Sequence, residues 1–389
     1  MSKKFSKNLH GGSNARVKVI GVGGGGGNAV SRMSRDFLKG VEFIAVNTDV
    51  QDLDCCLVKT KLYIGRNLTK GLGTGMNPEL GRQAAEENRS ELVECLQGAD
   101  LVFVTAGMGG GTGTGAAPVI AEAAKQSGAL TVAVVTKPFS FEGSQRSRIA
   151  QEGLLKLKDK VDALIVIPND RIFSIINQDT SILKAFESID NVLRNAVSGI
   201  VELIATPGIV NLDFADVRVI MEDAGAAIVG VGSAIGKERA VSAVTQAVNS
   251  PLLEVTIDGA KGVLLGIAGG KDLKMSEIND VARSVAEAVD PGARIIFGAY
   301  HDKKLKNGAI KITLIATGFN GTKPANSLFG QVAEKSTPTA VFLNADFNKN
   351  EPKPQELAKF QEKEVKIAEE KDEEKDIWDI PSFMRKKRR

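Results

Sequence analysis

Residues 109–115 read Gly-Gly-Gly-Thr-Gly-Thr-Gly, between an apolar strand-like run at Leu101–Thr105 (LVFVT) and a helix-like run at Ala116–Gln126 (AAPVIAEAAKQ). A glycine-rich turn between a strand and a helix start lets bare backbone N–H groups close around an anion. The partial positive charge of the helix end then holds it. Side chains would block that approach, and several of these positions need φ > 0. Both threonine hydroxyls can donate to phosphate oxygens. A merely flexible loop would not need threonine at alternate positions between a buried strand and a helix. The stretch reads as a phosphate loop.

A second glycine run supports this. Arg16–Gly23 (RVKVIGVG) reads as the first strand, and Gly24-Gly25-Gly26-Gly27-Asn28 leads into a helix-like Ala29–Met33. Gly21–Gly26 also fits G-x-G-x-x-G, and Asp49 follows the next strand, Glu42–Val46, where a ribose-binding carboxylate would sit. An NAD(P)-dependent oxidoreductase with a Rossmann domain is thus the rival reading. In five consecutive glycines almost any glycine spacing can be found, and the rival leaves residues 109–115 unexplained. Two phosphate loops on one sheet suit a triphosphate better than a pyrophosphate bridge. No G-x-x-x-x-G-K-[ST] occurs, so backbone dipoles, not a lysine, would hold the phosphates.

Taken together these residues resemble the tubulin superfamily and, within it, the FtsZ family of bacterial cell-division GTPases. GGGTGTG is the superfamily's phosphate-loop motif. The resemblance extends to Ala45–Asp49 (AVNTD), Gly71–Pro78 (GLGTGMNP), Pro138–Arg146 (PFSFEGSQR), Ile167–Asp170 (IPND) and Asn211–Val217 (NLDFADV), and covers most of residues 15–320. It implies a polymerising GTPase of the division ring, with GTP as substrate and Mg²⁺ held mainly by phosphates and water. One departure is Gly27, where many members carry a second Asn before Asn28.

Composition agrees. The 389 residues suffice for two domains with cores of their own, and 43% hydrophobic but only 5% aromatic residues with 41 glycines suit a glycine-looped α/β protein. Arg385–Arg389 carry +5 of a formal net charge of +3, leaving −2 for the rest, which argues against specific nucleic-acid binding. Cys55, Cys56 and Cys95 lack metal-ligand spacing and suit a reducing cytosol. Residues 1–15 are polar with no apolar leader, and no 18-residue apolar run occurs, so a cytoplasmic protein is expected.

Strand-like and helical runs alternate from 16 to about 170, which predicts a parallel sheet with ligands at the carboxyl ends of its strands. Both glycine loops fall on that edge. The expected order is a disordered arm (1–15), a nucleotide-binding domain (16–179), a long central helix (180–205), a second, smaller α/β domain for polymerisation (206–320), a Glu/Lys-rich linker (321–375) and a terminal peptide (376–389). The central helix shows in Ile182, Phe186, Ile189, Leu193, Ala196, Ile200 and Leu203, apolar at steps of three and four.

For the polyphosphate the residues themselves point to the backbone of Gly24, Gly25, Gly26 and Gly27 and of Gly111, Thr112 and Gly113. The resemblance adds Glu142 and Arg146 at the sugar, Asp190 at guanine, and Asn28 and Asn169 near the base. A carboxylate can accept from N1–H and N2–H of guanine together, which adenine does not offer. An i,i+4 ion pair is the plain alternative for Glu142 and Arg146, and the two readings are compatible. Phe186 could stack on the base or serve as plain core.

Asp213 and Asp216 in N-x-D-x-x-D, with Asn211, are the candidate catalytic carboxylates. On spacing alone an N-cap with a first-turn acid is the better account; the resemblance reverses that weighting. If Asp190 touches the base, the helix from 190 to 204 carries the chain about 21 Å away at 1.5 Å per residue, so these acids would serve the GTP of a neighbouring subunit. A site split between opposite faces requires head-to-tail filaments. With only His10 and His301, a histidine-based mechanism has no support.

The terminal peptide gathers Ile377, Trp378, Ile380, Phe383 and Met384 after a polar tether, the pattern of a partner-docking segment. It resembles the C-terminal peptide of FtsZ proteins, commonly D-I-P-x-F-L-R, with Met384 for Leu. That implies docking to a membrane anchor such as the actin-like FtsA, with 385–389 adding weak attraction to anionic lipid at the inner face of the membrane.

Overall fold

The computed structural model describes residues 15–319 except 36, 39, 178, 207, 251–255, 303, 304 and 307. The arm at 1–15 thus lies outside the described residues but for Ala15, and the linker and terminal peptide lie wholly outside them.

In chain order the elements are β1 (Val17–Val22), α1 (Gly23–Met33), β2 (Val41–Asn47), α2 (Val50–Cys55), β3 (Thr60–Tyr63), α3 (Arg66–Thr69), α4 (Pro78–Glu87), α5 (Arg89–Leu96), β4 (Leu101–Gly107), α6 (Thr112–Gln126), β5 (Leu130–Lys137), α7 (Ser144–Lys158), β6 (Ala163–Pro168) and α8 (Ile182–Ala205). Then follow β7 (Gly208–Val210), α9 (Phe214–Met221), β8 (Gly225–Ile235), α10 (Arg239–Val248), β9 (Gly262–Gly269), α11 (Met275–Ala288), β10 (Arg294–His301) and β11 (Ala309–Thr317).

One sheet of 11 strands runs through both halves in the order β3-β2-β1-β4-β5-β6-β8-β11-β9-β10-β7. β1 to β6 are all parallel. Their apolar runs are near-continuous because both faces are covered. Ile20, Val22, Val102 and Val104 lie in the core shared with α4 to α7, while Val17, Val19, Leu101 and Phe103 lie in the core shared with α1 and α8.

The second half joins the first through a short parallel pairing, Ala163–Ile165 with Gly225–Ala227. β11 is antiparallel to both β8 and β9, so this part of the sheet is mixed. The cores of the two halves are not wholly separate. Leu193, Ala196, Val197, Ile200 and Leu203 of α8 share a cluster with Val134 on one side and with Leu264, Tyr300 and Ile315 on the other. The helical stripe seen in the sequence is therefore the spine between the halves. A second core under α10 and α11 belongs to the C-terminal half alone.

Candidate nucleotide site

Strand order reverses between β1 and β4: the chain continues from β1 to β2 on one side and from β4 to β5 on the other. Such a switch point leaves a crevice at the carboxyl ends of the strands. A cavity of about 400 Å³ lies there, within the range of nucleotide-sized sites. α1 starts at Gly23, directly after β1, and α6 starts at Thr112, directly after the Gly109–Gly111 turn. No side chain caps either helix, so the N–H groups of both first turns are available to an anion.

The glycines divide by task. Gly24, Gly25, Gly111, Thr112 and Gly113 line the cavity; Gly26 and Gly27 do not. The run 24–27, which the sequence suggested as a loop, is the first turn and a half of α1. Gly26 is there for packing, since a Cβ would overlap the carbonyl oxygen of Thr105 on β4. At Gly27 a Cβ would lie 3.1 Å from Cys56 Sγ. Gly109 has φ +98°, the left-handed conformation that the turn needs.

The two threonines also separate. Thr114 Oγ1 accepts from Gly109 N at 2.9 Å, so this hydroxyl closes the loop rather than facing a phosphate. Thr112 Oγ1 faces the cavity and is hydrogen-bonded to Thr48 Oγ1 at 2.6 Å and Thr74 Oγ1 at 2.9 Å. Gly73, Thr74 and Gly75 form a further wall, and Gly111 N donates to Gly75 O at 3.1 Å. Gly73, Thr74 and Gly75 belong to the stretch 71–78, whose glycine–threonine alternation repeats that of 109–115. Asp49 also reaches the cavity, but its Oδ1 accepts from Gln51 N and Asp52 N at 3.0 and 3.2 Å, capping α2. The carboxylate that a dinucleotide enzyme would turn to ribose is here a helix cap.

At the other end the cavity is bounded by Asn28, Arg32, Asn169, Phe186 and Asp190. Asp190 lies 2.9 Å from Arg32 Nη1. Burial pushes its carboxyl up to about 7, against the downward pull of the Arg32 guanidinium. Asn169 Oδ1 and Thr105 Oγ1 are buried and have no hydrogen-bond partner among the described residues, although both side chains line the cavity. Buried polar atoms of this kind need a partner, and a polar ligand in the cavity would supply one. Phe186 lines the cavity and also packs edge-on to Phe139, with centroids 5.6 Å apart. Glu142 and Arg146 form an ion pair at the cavity wall, and Glu142 Oε1 also accepts from Phe139 N at 2.8 Å. The i,i+4 pair and a cavity-facing position hold together.

Asn211, Asp213 and Asp216 line no part of this cavity. Asn211 Oδ1 accepts from Gly208 N at 2.7 Å. Asp213 is the N-cap of α9, accepting from Asp216 N at 2.9 Å, while Asp216 accepts from Asp213 N at 3.2 Å. This reciprocal box is what their spacing alone favoured. α9 sits at the opposite edge of the sheet: Arg218 donates to Gly128 O, just before β5 begins. The cavity thus lies at the carboxyl edge of the strands, while α9, which carries Asp213 and Asp216 at its start, reaches the amino edge with Arg218.

The model of the Tubulin/FtsZ family GTPase domain matches residues 16–177, and that of the FtsZ family C-terminal domain matches residues 225–320. Among solved structures the chain is similar to an empty FtsZ dimer from M. jannaschii, with 45% identity, a TM-score of 0.74, and coverage of 79% of this chain and 89% of that one. It is also similar in fold to a GTPγS-bound protofilament of CetZ2 from Haloferax volcanii, at 24% identity and a TM-score of 0.67 over 77% of this chain and 92% of that one.

Proposed function

The chain belongs to the FtsZ family and carries its GTPase domain, and on that premise we propose how this GTPase works. GTP lies across the β1–β4 crevice, its phosphates on the N-terminal turns of α1 and α6. Backbone N–H groups of Gly24, Gly25 and Gly113 bind it, with the Thr112 hydroxyl, while Gly111 lines the pocket with its own N–H given to Gly75 O. Glu142 and Arg146 contact the sugar. Asp190 accepts from guanine N1–H and N2–H, while Asn28 and Asn169 complete the polar wall around the base. Mg²⁺, when bound with GTP, would be held mainly by the phosphates and water and would supply positive charge to the phosphoryl oxygens.

One observation supports the rest: the cavity lies at the carboxyl edge of the sheet and excludes Asp213 and Asp216, while α9, which carries them, reaches the amino edge with Arg218. Subunits stacked head to tail would bring the acids of one against the GTP of the next, a heterologous contact that builds open filaments. Asp213 and Asp216, with Asn211, then orient and polarise the attacking water, and the interface excludes the rest of the solvent. Hydrolysis follows assembly, as a division-ring polymer needs. No helix among the described residues is long and apolar enough to cross a membrane. The peptide 376–389, outside the described residues, is proposed to tether the filament to the membrane through an anchor such as FtsA. Light scattering and phosphate release recorded together after adding GTP and Mg²⁺ test the scheme. Both should rise above one threshold of protein concentration. Phosphate release at full rate well below the scattering threshold would overturn it.

A further inference from the structure

We propose that Lys125 is a positioning residue that ties the phosphate-loop helix of each subunit to the helix presenting Asp213 and Asp216 to its neighbour. The proposal rests on the reading that those acids act in trans. α6 is the rod of this linkage. It starts at Thr112 in the nucleotide cavity and ends at Gln126, about 22 Å away at 1.5 Å per residue. Its last turn reaches the amino edge of the sheet, where α9 sits.

Two contacts join them there. Lys125 Nζ lies 2.8 Å from Asp162 Oδ1 and 2.7 Å from Asp223 Oδ1. Asp162 is fixed: only 5% of its side chain is exposed, and its other oxygen accepts from Thr131 N at 2.8 Å. Asp223 is exposed and lies two residues beyond the end of α9, with φ +49°, a conformation few non-glycine residues adopt. Lys125 therefore clasps the exit of α9 onto a buried carboxylate at the base of β6. The second contact comes from α9 itself, where Arg218 donates to Gly128 O beyond the end of α6 while its guanidinium covers the Phe214 ring.

α9 is only eight residues long. A shift at its exit is therefore felt at its N-cap, where Asp213 holds its box with Asp216. A phosphate pulling on the first turn of α6 acts on one continuous helix, with Pro118 inside it, whose other end is clasped to α9. Neither Lys125 nor Asp223 lines the nucleotide cavity, so their route to the reaction runs through α9.

Lys125→Gln and the exposed Asp223→Asn, each as full chain, test this. Both should bind GTP and assemble at the wild-type threshold. Turnover per polymerised subunit should fall about fivefold, the lower end of coupling between separate sites. Lys125→Arg should restore most of the loss. Lys125→Gln added to Asp213→Ala should cost nothing further, because the acid it positions is already gone. Wild-type turnover of Asp223→Asn and Lys125→Gln overturns the clasp, as does a full multiplicative loss in the double variant. The outcomes separate the two ideas: normal turnover by Asp213→Ala alone would defeat catalysis in trans, whatever Lys125 does.

Discussion

Asp190 is held between two opposing influences, and if it reads guanine as proposed, the balance makes that reading pH-dependent. Burial raises its carboxyl from 3.8 to about 7 although Arg32 stands beside it. Between those values the folded chain keeps a proton that the unfolded chain has lost. The stability this group contributes is therefore full at low pH and is lost as pH rises through about 7. Guanine needs the ionised form, since only that accepts both donors. GTP affinity should therefore rise about tenfold from pH 6 to pH 8, and the rise should vanish in Asp190→Asn. A calorimetric titration at the two pH values checks this, and a flat wild-type profile would remove Asp190 from the base. Asp190→Ala should lose about 1–3 kcal/mol of binding. The glycines allow a second test. Gly110 lines the cavity and a Cβ there would meet nothing within 4 Å, so Gly110→Ala should leave the melting temperature nearly unchanged and weaken GTP binding. Gly26→Ala should do the reverse, destabilising by about 1–3 kcal/mol through the clash of α1 with β4. Equal melting losses in both would show that Gly110 serves the fold. At this scale the sequence picked out the two glycine runs but not which of their members reach the cavity. That division depends on which backbone passes over β4. Arg32, a lone basic residue on a helix, carried no signal until Asp190 was placed beside it.

For whole elements, the strands and long helices were legible because burial on both faces writes continuous apolar runs and a sustained helical stripe. β3 (TKLY) was not: an edge strand of four residues carries too little apolar pattern. β7 was equally hidden, three residues set by pairing with β10. The run 23–27 misled in the other direction, since glycine disfavours helix and only contact with β4 and the nucleotide cavity explains its helical path. α9 poses the sharper question, because Asp213 is at once a helix cap and a proposed catalytic acid. Asparagine caps as well as aspartate but carries no charge. Asp213→Asn should therefore melt like wild type and lose most GTP turnover, whereas Asp213→Ser, also a capping residue, should behave the same way. Asp213→Ala should lose turnover and also about 1 kcal/mol of stability. Thermal melting and phosphate release on the three variants decide it. Full turnover by Asp213→Asn would leave the capping box as the whole role of this residue.

Across the whole molecule, the sheet separates the edge that carries the cavity from the edge that α9 reaches with Arg218, and Asp213 lines no part of the cavity. α8 fixes that separation. Its N-terminal half lines the nucleotide cavity through Phe186, Ile189, Asp190 and Leu193, and its C-terminal half is anchored in the second half of the chain by Glu202, which accepts from Tyr300 Oη at 2.9 Å and from Lys311 Nζ at 3.1 Å. A filament in which each interface takes its nucleotide from one subunit and its acids from the next makes a prediction that no self-contained enzyme shares. Asp213→Asn subunits bind GTP but offer no acid; Asp190→Ala subunits offer acids but bind GTP poorly. Each alone should be nearly inactive at a GTP concentration that saturates only the first. Mixed in equal amounts, a fraction of interfaces pairs a bound GTP with an intact acid, and turnover should reappear. With random stacking that fraction is about one interface in four, so the mixture should recover roughly a quarter of the wild-type rate at the same total protein. The recovery should also disappear on dilution below the assembly threshold. A mixture no more active than the average of its parts would place the acids and the nucleotide in the same subunit's reaction, and the head-to-tail scheme would have to be abandoned.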